Sequence, residues 1–174
     1  MLKDRNEAYD LLGTLGAPDR LIHHAHLVSE AASRILAELK VLGVTCDASI
    51  VELGAVLHDS GKISYLQELT EPGSAHEKAG EALLLAHGVQ PGVARCCSSH
   101  GSWDSPGVTF EERIVALADR LWKGKRDAAL ELAIIDEANA QLSLPRWDVF
   151  AQLDTGFEDI AAGGSERIQG TMSD

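Results

Sequence analysis

Apolar residues in this chain recur every three to four positions, and no stretch of convincing length alternates with the two-residue period of a half-buried strand. Stripes of that one period can be buried only by packing helix against helix, so the expected fold is an all-α helical bundle. The longest periodic segment runs from Asp19 to Leu42, with apolar positions at Leu21, Val28, Ala31, Ile35, Leu36 and Leu39 and a stop at Gly43. A short helix closing on Leu11, Leu12 and Leu15 precedes it, weakened by Gly13 and Gly16. Asp47 can cap a helix through Ile50, Val51, Leu53, Val56 and Leu57 that ends near Ser60-Gly61, and Ser74 another that runs to about His87 before Gly88. Pro91 opens a short helix to about Ser99. Thr109 and Glu112 make a capping box, so a helix starts there and runs to about Trp122. Two more are expected over 126–142 and 145–162, and 63–73 is the longest candidate loop. A length of 174 residues, with 45% hydrophobic and 24% charged residues and no repeat or linker, fits one core. Residues 1–162 therefore read as a single domain and 163–174 as a flexible tail.

Charge narrows the function. Fifteen Lys and Arg against 27 Asp and Glu give −12, which disfavours a nucleic-acid polymer as partner while leaving room for a small anionic substrate at a local positive site. No apolar run approaches the length of a membrane span and the first residues lack the apolar stretch of a signal peptide, so no membrane association and a cytoplasmic location are expected. Three cysteines, with Cys96 and Cys97 adjacent, form neither a disulfide framework nor a CxxC knuckle and read as reduced, structural thiols. Nothing specifies an oligomeric state.

Seven histidines, His23, His24, His26, His58, His76, His87 and His100, fall mostly near predicted helix ends. The doublet His58-Asp59 matters most, because it directly follows the apolar face Val51, Leu53, Val56, Leu57. A carboxylate buried there is costly unless it is paired or bound to a metal; the alternative is a solvated helix end capped by Asp59.

Taken in order, His24, then His58-Asp59-Ser60-Gly61-Lys62, His76 with Gly80, His100, and Ala118-Asp119-Arg120 resemble the H…HD…D series of the HD-domain superfamily, over roughly residues 20–122. The resemblance implies an HD-type helical bundle. It also implies that His24, His58, Asp59 and Asp119 ligate one divalent metal, and that His76 and His100 hold a second with Asp59 bridging. Imidazole and carboxylate suit Fe, Mn, Co, Ni or Zn. Arg20 and Gly101 stand where relatives with a third metal carry Glu and His, and no GYP tripeptide follows the doublet, so neither a third ion nor cyclic di-GMP hydrolysis is expected.

The leading activity that the resemblance implies is phosphohydrolysis of a small phosphomonoester, nucleotide or dinucleotide by metal-activated hydroxide. Asp59 and Lys62 would be catalytic, Lys62 holding a substrate oxygen and Arg120 also contacting substrate; a lysine favoured by the helix dipole and a structural arginine ion pair are the competing readings. The same series resembles HD-type mixed-valent diiron oxygenases, which would act on a small polar or phosphonate-like substrate. A site that binds without turnover is the third possibility. His23 and His26 read as surface or supporting groups, His87 as a helix-end cation, Trp103 and Asp104 as pocket wall or loop, and Tyr65, Gln67 and Glu68 as part of a lid or specificity segment.

Overall fold

A computed structural model describes residues 1–164 and 167, and among these every regular element is helical. The elements are α1 (Arg5–Thr14), α2 (Asp19–Leu42), α3 (Ala48–Leu57), α4 (Ala75–Ala86), α5 (Pro91–Ala94), α6 (Cys96–Ser99), α7 (Phe110–Leu121), α8 (Ala128–Ala140) and α9 (Arg146–Ala162), with 3₁₀ turns at Ser60–Ile63 and Leu66–Leu69.

Local chemistry sets most of the boundaries. Asp4 and Asp47 accept from the first free amides of α1 and α3, Asp127 from that of α8, and Thr109 and Glu112 form both halves of a capping box on α7. Gly43 closes α2 at φ 83°, a left-handed conformation that costs glycine no Cβ clash. Ser74 makes no side-chain cap on α4; the Glu68 carboxylate, reaching back from the preceding loop, accepts from the amides of Ala75 and His76 instead. The segment 91–99 is two short helices interrupted at Arg95 rather than one.

The spine is α2, which buries Leu21, Ala25, Val28, Ala32, Ile35 and Leu39 along one stripe. Against it α7 lays Ile114, Val115, Leu117, Ala118 and Leu121, and α8 and α9 close the same core with Ile134, Ile135, Val149, Leu153 and Phe157. Fully buried residues such as Ile114 and Leu117 contribute on the order of 1.5–3 kcal/mol each. A second cluster, Ala8, Leu12, Leu53, Val56, Leu57, Leu84 and Val93, packs α1, α4 and α5 on the other side of α3. α3 is thus buried on nearly all sides, and a Cβ at Gly54 would lie 2.6 Å from Cys96 Sγ. Its C-terminus, carrying the His-Asp doublet, has nowhere to go but the interior.

Cys96 and Cys97 are buried and free, and burial pushes both thiols up, as expected of structural cysteines. No helix among the described residues is long and apolar enough to cross a membrane. Of the segment read as a tail, residues 165, 166 and 168–174 lie outside the described residues, while Arg167 donates through Nη1 to the carbonyls of Trp122 and Ile160.

Candidate metal centre

Five helix ends and faces converge on one point. His24 comes from the first half of α2, His58 and Asp59 from the end of α3, His76 from the start of α4, His100 from the end of α6, and Asp119 from the last turn of α7. Because each sits on or beside a packed helix, the side chains are aimed by backbone that cannot drift.

Two groups form around Asp59. Its Oδ2 lies 3.1 Å from His24 Nε2 and 3.7 Å from His58 Nε2, while Asp119 Oδ1 lies 3.5 Å from His24 Nε2 and 3.7 Å from His58 Nε2. Its Oδ1 faces the other way, 3.1 Å from His76 Nε2 and 3.7 Å from His100 Nε2. The donor atoms of His24, His58 and Asp119 are mutually within 4.8 Å, and so are those of Asp59, His76 and His100, so each group could hold a metal ion.

The imidazole tautomers follow from the outer hydrogen bonds. Nδ1 of His58 is 3.0 Å from the Ala55 carbonyl, and Nδ1 of His100 lies 3.1 and 2.9 Å from the carbonyls of Cys96 and Cys97. A carbonyl only accepts, so Nδ1 carries the proton and a neutral ring keeps its Nε2 lone pair for the interior. His76 is fixed likewise by Glu68 Oε2, 2.5 Å from its Nδ1. This leaves an acceptor pair, His76 Nε2 and Asp59 Oδ1, both buried and both without a hydrogen-bond partner although only 3.1 Å apart. Two lone pairs facing one another at that distance repel unless a cation or proton sits between them. The residues present therefore fit a divalent ion.

Burial alone would raise the Asp59 carboxyl, but the imidazoles of His58, His24 and His76 outweigh it and hold it well below the ordinary range. Asp119 is lowered in the same way, burial being overcome by His58, Lys123 and His24. Burial lowers His58 and His76, yet the facing carboxylates win and raise both. His100, buried and facing His58, is pushed down to about 4, which keeps its ring neutral at ordinary pH. The cluster thus sets ionised carboxylates against imidazoles that would release their protons to a bound cation, the donor set of a hard-to-borderline metal site.

A family model described as HD domain matches residues 21–123, more than half of the chain, and spans all six of these residues. The chain belongs to the HD-domain family. Membership points to a metal-dependent hydrolase. The chain is also 28% identical over 149 residues, 77% of its length, to a tRNA (cytidine(56)-2'-O)-methyltransferase of Thermoplasma volcanium. It spans only 41% of that relative's length. No solved structure matches the chain.

A cavity of about 750 Å³ opens onto the HD cluster at His24 and Asp59. Lys62 lines it and points its ammonium at Asp59 Oδ2, 2.6 Å away. Arg120 is not brought there. Its guanidinium donates to the Ala116 and His100 carbonyls and pairs with Asp127 at 3.1 Å, so the structural ion pair, rather than substrate contact, is what the geometry provides. Trp103 packs against the main core, His26 stacks on Tyr9 at 4.2 Å beside a different groove, and His87 bonds the Leu83 carbonyl at a helix end. His23 lines the cavity rim, and the 63–73 segment contributes Leu69 to its wall.

Lys123 and Trp122 escaped sequence reasoning, and so did the contact that Glu68, read only as part of a lid or specificity segment, makes with His76. Lys123 lines the cavity with its Nζ 3.2 Å from Asp119 Oδ2, and Trp122 sets its ring edge-on to His24 at 5.2 Å. The signal for Lys123 was present, since it follows Asp119 by four residues as Lys62 follows His58. The carboxylate of Glu68 on His76 had no such signal, because it depends on how the loop folds back.

Proposed function

We propose that this HD domain is a binuclear phosphohydrolase acting on a small anionic phosphoester, a phosphomonoester, nucleotide or dinucleotide. His24, His58, Asp119 and Asp59 Oδ2 would hold one divalent transition metal, and Asp59 Oδ1, His76 and His100 a second, drawn from Fe, Mn, Co or Ni. When bound, such ions supply Lewis-acid charge for the phosphoryl oxygens and lower the pKa of water.

The observation that carries the reading is the pair of lysines. Lys62 and Lys123 rise from one helical turn beyond His58 and Asp119 and approach the two carboxylates from the cavity side. An ammonium has donors only, so neither lysine can ligate a metal, whereas both can hold nonbridging oxygens of an anion seated on the cavity floor. Arg20 adds a third cation to the lining. These cations face Asp19, Asp59 and Asp119, so the site would turn positive once metal ions engage the carboxylates, which lets a small anion bind a protein whose net charge is −12. Leu21, Leu69 and Trp122 add apolar surface to the lining that would exclude water and pack the remainder of the substrate.

The test is hydrolysis of a panel of phosphomonoesters, nucleotides and dinucleotides under strict exclusion of O₂, with Mn or Co replacing Fe. Phosphate or nucleoside monophosphate should be released from at least one substrate, and Asp59→Ala should abolish it. Lys62→Ala and Lys123→Ala should retain their metals yet each lose on the order of 10²-fold in kcat/KM, the scale for removing a preorganised charge. Turnover that demanded iron and O₂, with no phosphoester cleaved under any metal, would assign the site to the oxygenase chemistry.

A further inference from the structure

Among the described residues, His76 is the one imidazole of the cluster whose outer nitrogen is held by a charged group. Nδ1 of His58 and of His100 faces backbone carbonyls, whereas Nδ1 of His76 lies 2.5 Å from Glu68 Oε2. The Glu68 side chain is only 8% exposed although Leu66, Gln67 and residues 70–75 around it are exposed. The same carboxylate accepts from the backbone of His76 through Oε2 at 3.1 Å and of Ala75 through Oε1 at 3.2 Å. Gly73 keeps room for it, since a Cβ there would lie 2.5 Å from the Glu68 carboxyl carbon. Leu69, the next residue, forms part of the cavity wall. One buried carboxylate thus joins the cavity wall, the start of α4 and the imidazole of the second cation position.

We infer that Glu68 is a positioning residue for the second metal ion, fixing His76 in the tautomer that presents Nε2 and anchoring the 63–73 segment to that ion's site. The inference rests on the binuclear reading above. An ionised carboxylate accepts only, so the proton of the His76–Glu68 contact belongs to the imidazole Nδ1 and the Nε2 lone pair is left facing Asp59 Oδ1. The carboxylate also makes the imidazole a stronger donor to a cation. Its influence is one-sided: His24 and Asp119 make no contact with it, so the first ion should not depend on it.

Metal titration of the full chain, stripped with a chelator and followed by calorimetry with Mn²⁺ and Zn²⁺ alone, tests this. Wild type should show two binding events. Glu68→Ala should weaken the second by about 10–100-fold, the scale for losing such an outer partner, and leave the first unchanged. Glu68→Gln, whose amide oxygen still accepts from Nδ1, should recover much of the loss. Because Glu68 also caps α4, a Glu68→Ala, Ser74→Asp double variant supplies a new cap at the N-terminal position without touching His76. It should stay defective in the second ion. Recovery of the second ion in that double variant, or two wild-type affinities in Glu68→Ala, would overturn the inference while leaving two ions in place. A single ion in wild type would instead overturn the binuclear reading, and this inference with it.

Discussion

Gly61 lies in the 3₁₀ turn directly after the His-Asp doublet, where the chain crosses the backbone of α4. A Cβ there would run into the carbonyl oxygen of His76, and would lie 2.6 Å from Gly80 N and 2.8 Å from the His76 carbonyl carbon. The approach is reciprocal, since a Cβ on Gly80 would lie 2.9 Å from Gly61 N. The φ of Gly61 is not positive, so glycine is required for space and not for conformational freedom. Gly61→Ala must separate two backbones, because every atom in the way is a main-chain atom that cannot swing aside. Moving from 2.6 Å to an ordinary contact of 3.4 Å against Gly80 N alone parts them by roughly 0.8 Å, with more needed at the His76 carbonyl. That displacement has two consequences. Overpacking of rigid atoms costs about 3 kcal/mol, the upper end of the usual range, and in a protein of this length lowers Tm by about 6–12 °C. His76 also retreats from Asp59 by several times the ~0.2 Å that a metal–ligand distance tolerates, so the second ion should be lost. Thermal unfolding of the metal-stripped protein reads the first effect and metal titration the second. Gly13→Ala is the control: it lies inside α1 with nothing within 4 Å of a new Cβ and should stabilise by about 0.5–1 kcal/mol. A Gly61→Ala protein with unchanged Tm and a normally bound second ion would refute the crossing as the reason for this glycine.

Arg120→Ala should lower Tm by a few degrees, through loss of the Asp127 ion pair and of the bonds to the Ala116 and His100 carbonyls at about 1–2 kcal/mol together, with KM for any hydrolysed phosphoester unchanged; a large rise in KM without loss of stability would return Arg120 to the substrate. In the native protein a thiol reagent at pH 8 should reach Cys46 alone, slowly, because burial with Glu111 and Asp47 nearby raises its thiol, while Cys96 and Cys97 react only on unfolding; labelling of three thiols well below the Tm, in protein that stays folded, would contradict the packing around α6.

What the sequence made legible here was what one helix decides by itself. The α2 stripe, the Gly43 stop and the Thr109–Glu112 box depend on spacings of three to four residues and on local capping, and each appears as read. Motif order picked out six His and Asp residues that the fold brings together, and α3 shows one reason: a helix buried on nearly all sides delivers His58 and Asp59 inward whatever follows it. Ser74 as a cap, the unbroken helix over 91–99 and Arg120 as a substrate contact share a different character. For Ser74 and Arg120 the outcome turns on which of two acceptable partners reaches a group first, set by the path of a loop or the approach of another helix, whereas nothing in the contacts explains the interruption at Arg95. Glu68 displaces Ser74 from α4 because the loop brings an ionised carboxylate, a stronger acceptor than a hydroxyl, to the same amides. Asp127 captures Arg120 because the turn into α8 places it 3.1 Å from Nε. Lys123 shows the boundary between the two kinds of signal, since its spacing from Asp119 repeats that of Lys62 from His58, yet only the meeting of α7 with the end of α3 puts both ammoniums over one floor. A helical spacing names the face a side chain occupies; whether that face is a site depends on which second helix presents the complementary charge.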